Sequence, residues 1–200
     1  MASYQSISKP SEGLYKEKGS KFLAFAYPIT SENEAKDKIQ ELRELHPKAV
    51  HVCFAWRLGV SNYHDRYSDD GEPNNSAGKP IFGQILAAEI TNVLVAVVRY
   101  YGGTKLGVGG LINAYKTATA EAIEKNTIIQ KEEVIKAIIK FDPSNTGDLM
   151  SRLNKMRVEV KSHGFENALH LVKIDIVKSV SKEIIDTFEQ LPHYQIELIE

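Results

Sequence analysis

Val93-Leu94-Val95-Ala96-Val97-Val98-Arg99-Tyr100-Tyr101-Gly102-Gly103-Thr104-Lys105-Leu106-Gly107-Val108-Gly109-Gly110 is the stretch that decides how this chain folds. Val93 to Val98 is an unbroken apolar run, which predicts a central strand buried on both faces, because a strand wet on one side would alternate. The run leaves through Arg99 and two tyrosines into a turn, Gly102 to Gly110, that holds five glycines. Leu111 to Lys125 then keeps helical spacing through Leu111, Tyr115, Ala118, Ala122 and Ile123. A strand that enters a helix through glycines exposes backbone N–H groups at a helix N-terminus, where the peptide dipoles also favour an anion. Arg99 and Lys105 add positive charge, and Tyr100 and Tyr101 add flat surfaces. The phosphate of a nucleotide or nucleic acid is the ligand class that suits such a turn. The spacing is neither a Walker loop nor a Rossmann fingerprint. Without a ligand the same residues make a tight strand-to-helix turn, with at least one tyrosine facing the core.

Outward toward the N-terminus, Leu14 to Lys18 and Lys21 to Ile29 read as paired strands around Gly19 and Ser20. Ser31 and Glu34 form a capping box for a helix to about Leu45, with Ala35, Ile39, Leu42 and Leu45 on one face and Pro47 as its stop. Ala49 to Leu58 alternates as a strand should, Tyr63 to Pro80 reads as loop, and Ile81 to Glu89 as helix. Toward the C-terminus, Glu133 to Phe141 is a strand and Asp142 a cap. Asn145 to Met156 is a helix, and Arg157 to His163 with Ala168 to Val177 a hairpin around Gly164. Ser181 to Leu191 is a helix, and Tyr194 to Ile199 a last strand. That order, strand–helix–strand–strand–helix–strand, is the ferredoxin-like split βαβ unit. The prediction is an α+β protein of two domains, 1–130 and 131–200, with a short joint.

Composition excludes several classes. Of 200 residues 42% are hydrophobic and 26% charged, an ordinary globular balance and not that of a disordered chain. Lysine and arginine number 25 against 26 aspartates and glutamates, a net charge of -1, so nucleic-acid binding needs a local patch. The single cysteine, Cys53, rules out an internal disulfide and a Cys-rich zinc site, and fits a reducing compartment. Met1 to Ser20 has no apolar signal core, and no apolar run nears the roughly 18 residues of a membrane span, so the expectation is a cytoplasmic protein with no membrane partner.

A second chemistry-bearing stretch is Asp69-Asp70-Gly71-Glu72-Pro73-Asn74-Asn75-Ser76-Ala77-Gly78-Lys79-Pro80. Three carboxylates within four residues repel one another unless a cation or backbone donors face them. Hard cations prefer oxygen ligands, so the stretch reads as a site for a divalent cation, Mg²⁺ among them, or for a basic partner; the alternative is a solvated acidic turn. Cys53 shares a strand face with His51, but a cysteine in such a strand reads as a small buried hydrophobe. No Gly-x-Ser-x-Gly elbow and no His-Glu-x-x-His helix is present, so no catalytic residue and no resident cofactor are assigned.

Asp69 to Pro73, Ala77-Gly78-Lys79-Pro80, Arg99-Tyr100-Tyr101-Gly102-Gly103, Leu106-Gly107, Gly109-Gly110-Leu111 and Ala114-Tyr115 together resemble the signature of the YigZ/IMPACT family. Ser20-Lys21-Phe22 and the strand with His51, Cys53, Ala55 and Arg57 resemble it too. Asn75 stands where the family usually has glycine, and Asn113 where it often has a cation. The whole chain is similar to the bacterial type, with a ferredoxin-like domain appended. The resemblance implies a first domain of the ribosomal-protein and elongation-factor-G domain IV type, with a left-handed βαβ unit, and a second similar to domain V of that factor. It implies a regulator of translation, with RNA, the ribosome or a translation factor as partner. On that expectation Arg99, Lys105, Lys116 and the amides of Gly102, Gly103, Gly107, Gly109 and Gly110 hold phosphate, and Tyr100 or Tyr101 stacks. Asp69, Asp70 and Glu72, supported by Ser76 and His51, orient Lys79 or Arg57 or hold Mg²⁺. Two other classes stand beside it: a Mg²⁺-dependent enzyme on a phosphorylated small molecule, and a protein-interaction adaptor using the acidic loop.

Overall fold

The computed structural model describes residues 3–199, an α+β protein with five α-helices and three sheets among those residues. The chain divides into two compact units, Tyr4–Lys131 and the residues from Glu132 on.

In the first unit the run quoted above is strand β6 (Val93–Tyr100), the middle of a five-stranded antiparallel sheet. Its neighbours are β3 (Ser20–Pro28) and β4 (His51–Leu58); β2 (Ser11–Glu17) and β5 (His64–Ser68) form the edges, giving the order β2-β3-β6-β4-β5. Both faces of β6 are covered, which is why its sequence does not alternate. Leu94, Ala96 and Val98 pack with Val52, Phe54 and Trp56 under helix α1 (Glu32–Leu45) through Ala35, Ile39 and Leu42. Val93, Val95 and Val97 pack with Phe22, Ala24, Ala26, Cys53 and Ala55 under α2 (Gly78–Ala87) and α3 (Gly107–Glu124). Odd positions of β6 and β4 therefore face α2 and α3, and even positions face α1. This alternation carries Arg99 and His51 to one side of the sheet and Tyr100 to the other.

Ser31 caps α1 by accepting from the Glu34 amide at 3.2 Å; the Glu34 carboxylate reaches back to the Thr30 amide at 2.8 Å, one residue earlier than a capping box requires. Two expectations for this unit need correction, and one sheet is an addition to them. Tyr63 to Pro80 is not all loop: His64–Ser68 is edge strand β5, fully paired with β4. Four of its five residues are exposed, so it has no apolar alternation to read, and cross-strand pairing of Asp65 with Arg57 helps hold it. Helix α2 begins at Gly78 and carries Pro80 in its first turn, where a missing N–H costs nothing. Strands β1 (Ser3–Ile7) and β7 (Ile128–Glu132) form a separate two-stranded sheet that went unpredicted.

The second unit runs β8 (Val134–Phe141), α4 (Thr146–Lys155), β9 (Glu159–Glu166), β10 (Leu169–Val177), α5 (Ser181–Glu189) and β11 (Tyr194–Ile199). Its antiparallel sheet has the order β11-β8-β10-β9. Ala137, Ile139, Phe141, Val172, Ile174 and Ile176 bury one face against Leu149 and Leu153 of α4 and Ile184 and Phe188 of α5. The hairpin turns at Asn167 and Ala168, with φ of 50° and 68°, and not at Gly164. Gly164 pairs with Leu171 inside the ladder. Two residues with positive φ match the twist of the strands, and Ala168 is an unusual occupant of such a position, which hid the turn.

Candidate anion-binding groove

The acidic loop and the glycine-rich turn meet. A groove of about 490 Å³ is lined by Glu72 and Pro73 of the first, by Arg99, Tyr101 and Lys105 to Val108 of the second, and by Val50, His51 and Leu111. Its polar floor is a buried network. Glu72 Oε1 accepts from Arg99 Nη1 at 2.5 Å and from the Tyr115 hydroxyl at 2.7 Å. The Glu72 and Arg99 side chains are 3% and 8% exposed, so this is a desolvated ion pair that must be matched to be tolerated. Arg99 also lies 5.4 Å from the Phe22 ring and 5.6 Å from that of Tyr101. Its Nε is buried with no hydrogen-bond partner. His51 Nδ1 donates to the Asp70 carbonyl at 2.6 Å, which leaves Nε2 turned toward Glu72, 4.0 Å from Oε1.

Cys53 closes the network from beneath. Its thiol lies 3.0 Å from the Asp69 carbonyl and 3.3 Å from the Tyr115 hydroxyl. Burial pushes the thiol far above its ordinary pKa; its contact with the Tyr115 hydroxyl opposes this, and the charges of Glu72, Asp70 and Asp69 add to it. Burial, followed by Cys53 and Glu72, drives the Tyr115 phenol up in the same way. Both groups stay neutral. Cys53 should therefore resist an aromatic disulfide reagent at pH 8 in the native protein and react completely in denaturant, as a colorimetric thiol assay would read. Fast native reaction would contradict its placement.

The three carboxylates of the acidic loop diverge. Asp69 Oδ1 accepts from the amides of Ala77 and Gly78, and Oδ2 from that of Asn75, at 2.8–3.0 Å, so Asp69 caps α2. Asp70 pairs with Arg43 at 2.7 Å and accepts from the Val52 amide at 2.7 Å. Glu72 serves Arg99 and Tyr115. Ser76 is buried and donates to the Pro73 carbonyl at 2.6 Å, and Asn75 sits at φ 62° in the position the resemblance gives to glycine. Among the described residues no three His, Cys, Asp or Glu side chains converge as metal ligands. The expectation that the carboxylates orient Lys79 or Arg57 is corrected. Lys79 is exposed on α2 and outside the groove. Arg57 is bidentate to Asp65 at 2.8 and 2.9 Å and stacks on Tyr63, about 20 Å along β4 from His51.

The glycine turn divides by role. Gly102 is required by packing: a Cβ there would lie 2.0 Å from the Gly19 carbonyl carbon, and its amide donates to Ser20 Oγ at 3.1 Å. Gly103 and Gly107 take positive φ, 85° and 73°. Gly109 has no such reason, since a methyl there would meet nothing within 4 Å. Helix α3 opens here with no side-chain cap and no acidic residue in its first turn, whereas α2 has Asp69. Its first amides are thus unmatched donors beside an open groove. Lys105 is exposed at the rim and makes no hydrogen bond or ion pair with the described residues. Lys116 is not part of the groove; it is exposed nine residues further along α3, about 14 Å from Gly107. The tyrosines separate as strand alternation requires. Tyr100 turns to the α1 side, its hydroxyl 2.9 Å from His46 Nδ1, while Tyr101 stays 47% exposed at the groove. Sequence reasoning missed Tyr115 as the partner of Glu72 and Arg43 as that of Asp70, because both come from distant helices.

The profile of the Impact N-terminal domain matches residues 18–123, just over half of the chain. This chain belongs to the IMPACT family. An IMPACT family member from Haemophilus influenzae is 30% identical over 86% of this chain and 82% of its own length. One from Thermus thermophilus is 47% identical over 53% of this chain; the match spans 56% of that relative. A crystal structure described as that of a hypothetical protein superposes with a TM-score of 0.74 at 25% identity, covering 100% of this chain and 98% of the other. The matched region contains every groove residue from Val50 to Leu111. IMPACT proteins of yeast and rabbit are also similar, at 36% and 29% identity over 46% and 62% of this chain. No helix among the described residues is long and apolar enough to cross a membrane.

Proposed function

We propose that this IMPACT family protein is a regulator associated with translation that grips the phosphate backbone of RNA, free or within the ribosome, through the groove at the start of α3. The observation that carries the reading is the uncapped N-terminus of α3 beside Lys105 and Tyr101. Backbone donors, a helix dipole, an unpaired cation and an exposed ring are what a phosphate with a neighbouring base requires. Arg99 enters as a fixed, half-neutralised charge under the groove, held by Glu72. The protein is cytoplasmic on this reading. The first unit is of the ribosomal-protein and elongation-factor-G domain IV type, supported by its antiparallel sheet with one helix on one face and two on the other. The second is ferredoxin-like, supported by its strand order.

One observation favours a second reading. The groove is concave and joins both loops, as a site for a phosphorylated small molecule would. The diverging carboxylates supply no ready Mg²⁺ cage for catalysis on it.

Gradient sedimentation of tagged protein in cell lysate tests the first reading. Co-migration with ribosomal particles that moderate salt or RNase abolishes is expected; Lys105→Ala should weaken it and Lys116→Ala should not. Migration as free protein under every condition would favour the small-molecule reading.

A further inference from the structure

A second groove, of about 560 Å³, lies on the other side of Tyr101. It is formed where α1 leaves the far end of the sheet uncovered, with Leu14, Leu23 and Tyr100 as floor and Lys16 and Lys21 as rim. Lys16 and Lys21 are direct cross-strand partners in the β2–β3 ladder. Like charges placed opposite each other in a sheet repel, and sheets normally avoid this. No carboxylate among the described residues pairs with either lysine. Both lysines are exposed and neither makes an ion pair or hydrogen bond with the described residues. Of the acids on the same two strands, Glu17 points to the opposite face, and Glu12 is four residues from Lys16, about 13 Å along the strand. The fold therefore holds an unneutralised pair of cations beside an apolar and aromatic floor. Tyr101 is shared between this groove and the one at the start of α3.

We propose that the two grooves form one track for single-stranded nucleic acid, crossing the end of β6 over Tyr101. One phosphate sits at the α3 N-terminus with Lys105, a base stacks on Tyr101, and a following phosphate sits between Lys16 and Lys21. This rests on the phosphate reading of the first groove and extends it from a single anion to a polymer. The charge pattern argues for a polymer. Two separate cationic sites flanking one exposed ring need two phosphates, which a mononucleotide monophosphate does not have. Stacking also needs a base free of its partner, which a duplex does not offer.

The test is fluorescence anisotropy with a labelled decauridylate at several salt concentrations, with UMP as competitor. The double variant Lys16→Ala/Lys21→Ala should weaken decauridylate about tenfold and flatten the salt dependence by roughly 0.7 per lost phosphate contact. Tyr101→Ala should weaken it about tenfold with little change in slope. UMP competition should depend on Lys105 and be indifferent to Lys16 and Lys21. The melting temperature of the double variant should hold or rise, because the repulsion is relieved, so lost binding cannot be ascribed to lost structure. Unchanged affinity and slope in Lys16→Ala/Lys21→Ala, with Lys105→Ala still weakening binding, would overturn the track and leave the phosphate groove standing. Insensitivity to Lys105→Ala as well would overturn both, and equal affinity for a ten-base-pair duplex would overturn the single-strand assignment.

Discussion

Glu72→Ala should lower the unfolding free energy by about 3–5 kcal/mol, read from the urea midpoint at constant slope. The cost arises because the substitution does not remove a surface charge. It strands Arg99, whose guanidinium is buried on the odd face of the sheet and whose Nε has no partner even in the intact protein. It also removes the acceptor of the Tyr115 hydroxyl, which is buried with it. The double variant Glu72→Leu/Arg99→Met should recover most of the loss, because removing both charges avoids the unpaired one. Such a protein, stable but without Arg99, would separate the structural role of the pair from its place beneath the groove. A Glu72→Ala loss below about 1 kcal/mol would mean that the pair is solvated and the network does not hold the two loops together.

Gly102→Ala should be as damaging for a different reason. Its added methyl would meet only backbone: the Gly19 carbonyl carbon at 2.0 Å, the Ser20 nitrogen at 2.2 Å and the Gly19 oxygen at 2.5 Å. No side chain can swing away, so either the β2–β3 turn or the exit of β6 must shift. A cost of about 3 kcal/mol, the upper end for overpacking, is expected in thermal or urea unfolding. Gly109→Ala is the matched control. That methyl enters open space, and replacing glycine in a helix should be neutral or stabilise by about 0.5–1 kcal/mol. Equal effects at both positions would contradict the division of the turn into packing and ligand-facing glycines.

The architecture was legible where burial wrote a period into the sequence. Val93–Val98, covered on both faces, could only be a central strand, and the spacing of Ala35, Ile39 and Leu42 marked α1. The second unit was readable apart from its hairpin turn, because β8, α4, β10 and α5 each bury one face. What escaped has a common cause. Strand β5 is exposed and held by backbone pairing, β1 and β7 stabilise each other across more than 120 residues, and the Asn167–Ala168 turn uses an alanine at positive φ. The site was legible to the level of its two loops. It was not legible to the level of partners: Glu72 reaches Arg99 and Tyr115, Asp70 reaches Arg43, and Asp69 caps α2. Three adjacent carboxylates looked like one cluster because their directions are set by tertiary contacts. Lys16 and Lys21 drew no attention as binding residues, since only the strand register makes them neighbours.

The central claim is that the start of α3 is an anion site. Amide chemical shifts of ¹⁵N-labelled protein, followed while decauridylate is titrated in, test it most directly. The account predicts that the largest shifts fall on the amides of Gly107, Val108, Gly109 and Gly110, with the Lys105 and Tyr101 amides next, and that they saturate together. Shifts confined to surfaces away from the groove, with these amides unmoved at saturation, would contradict it.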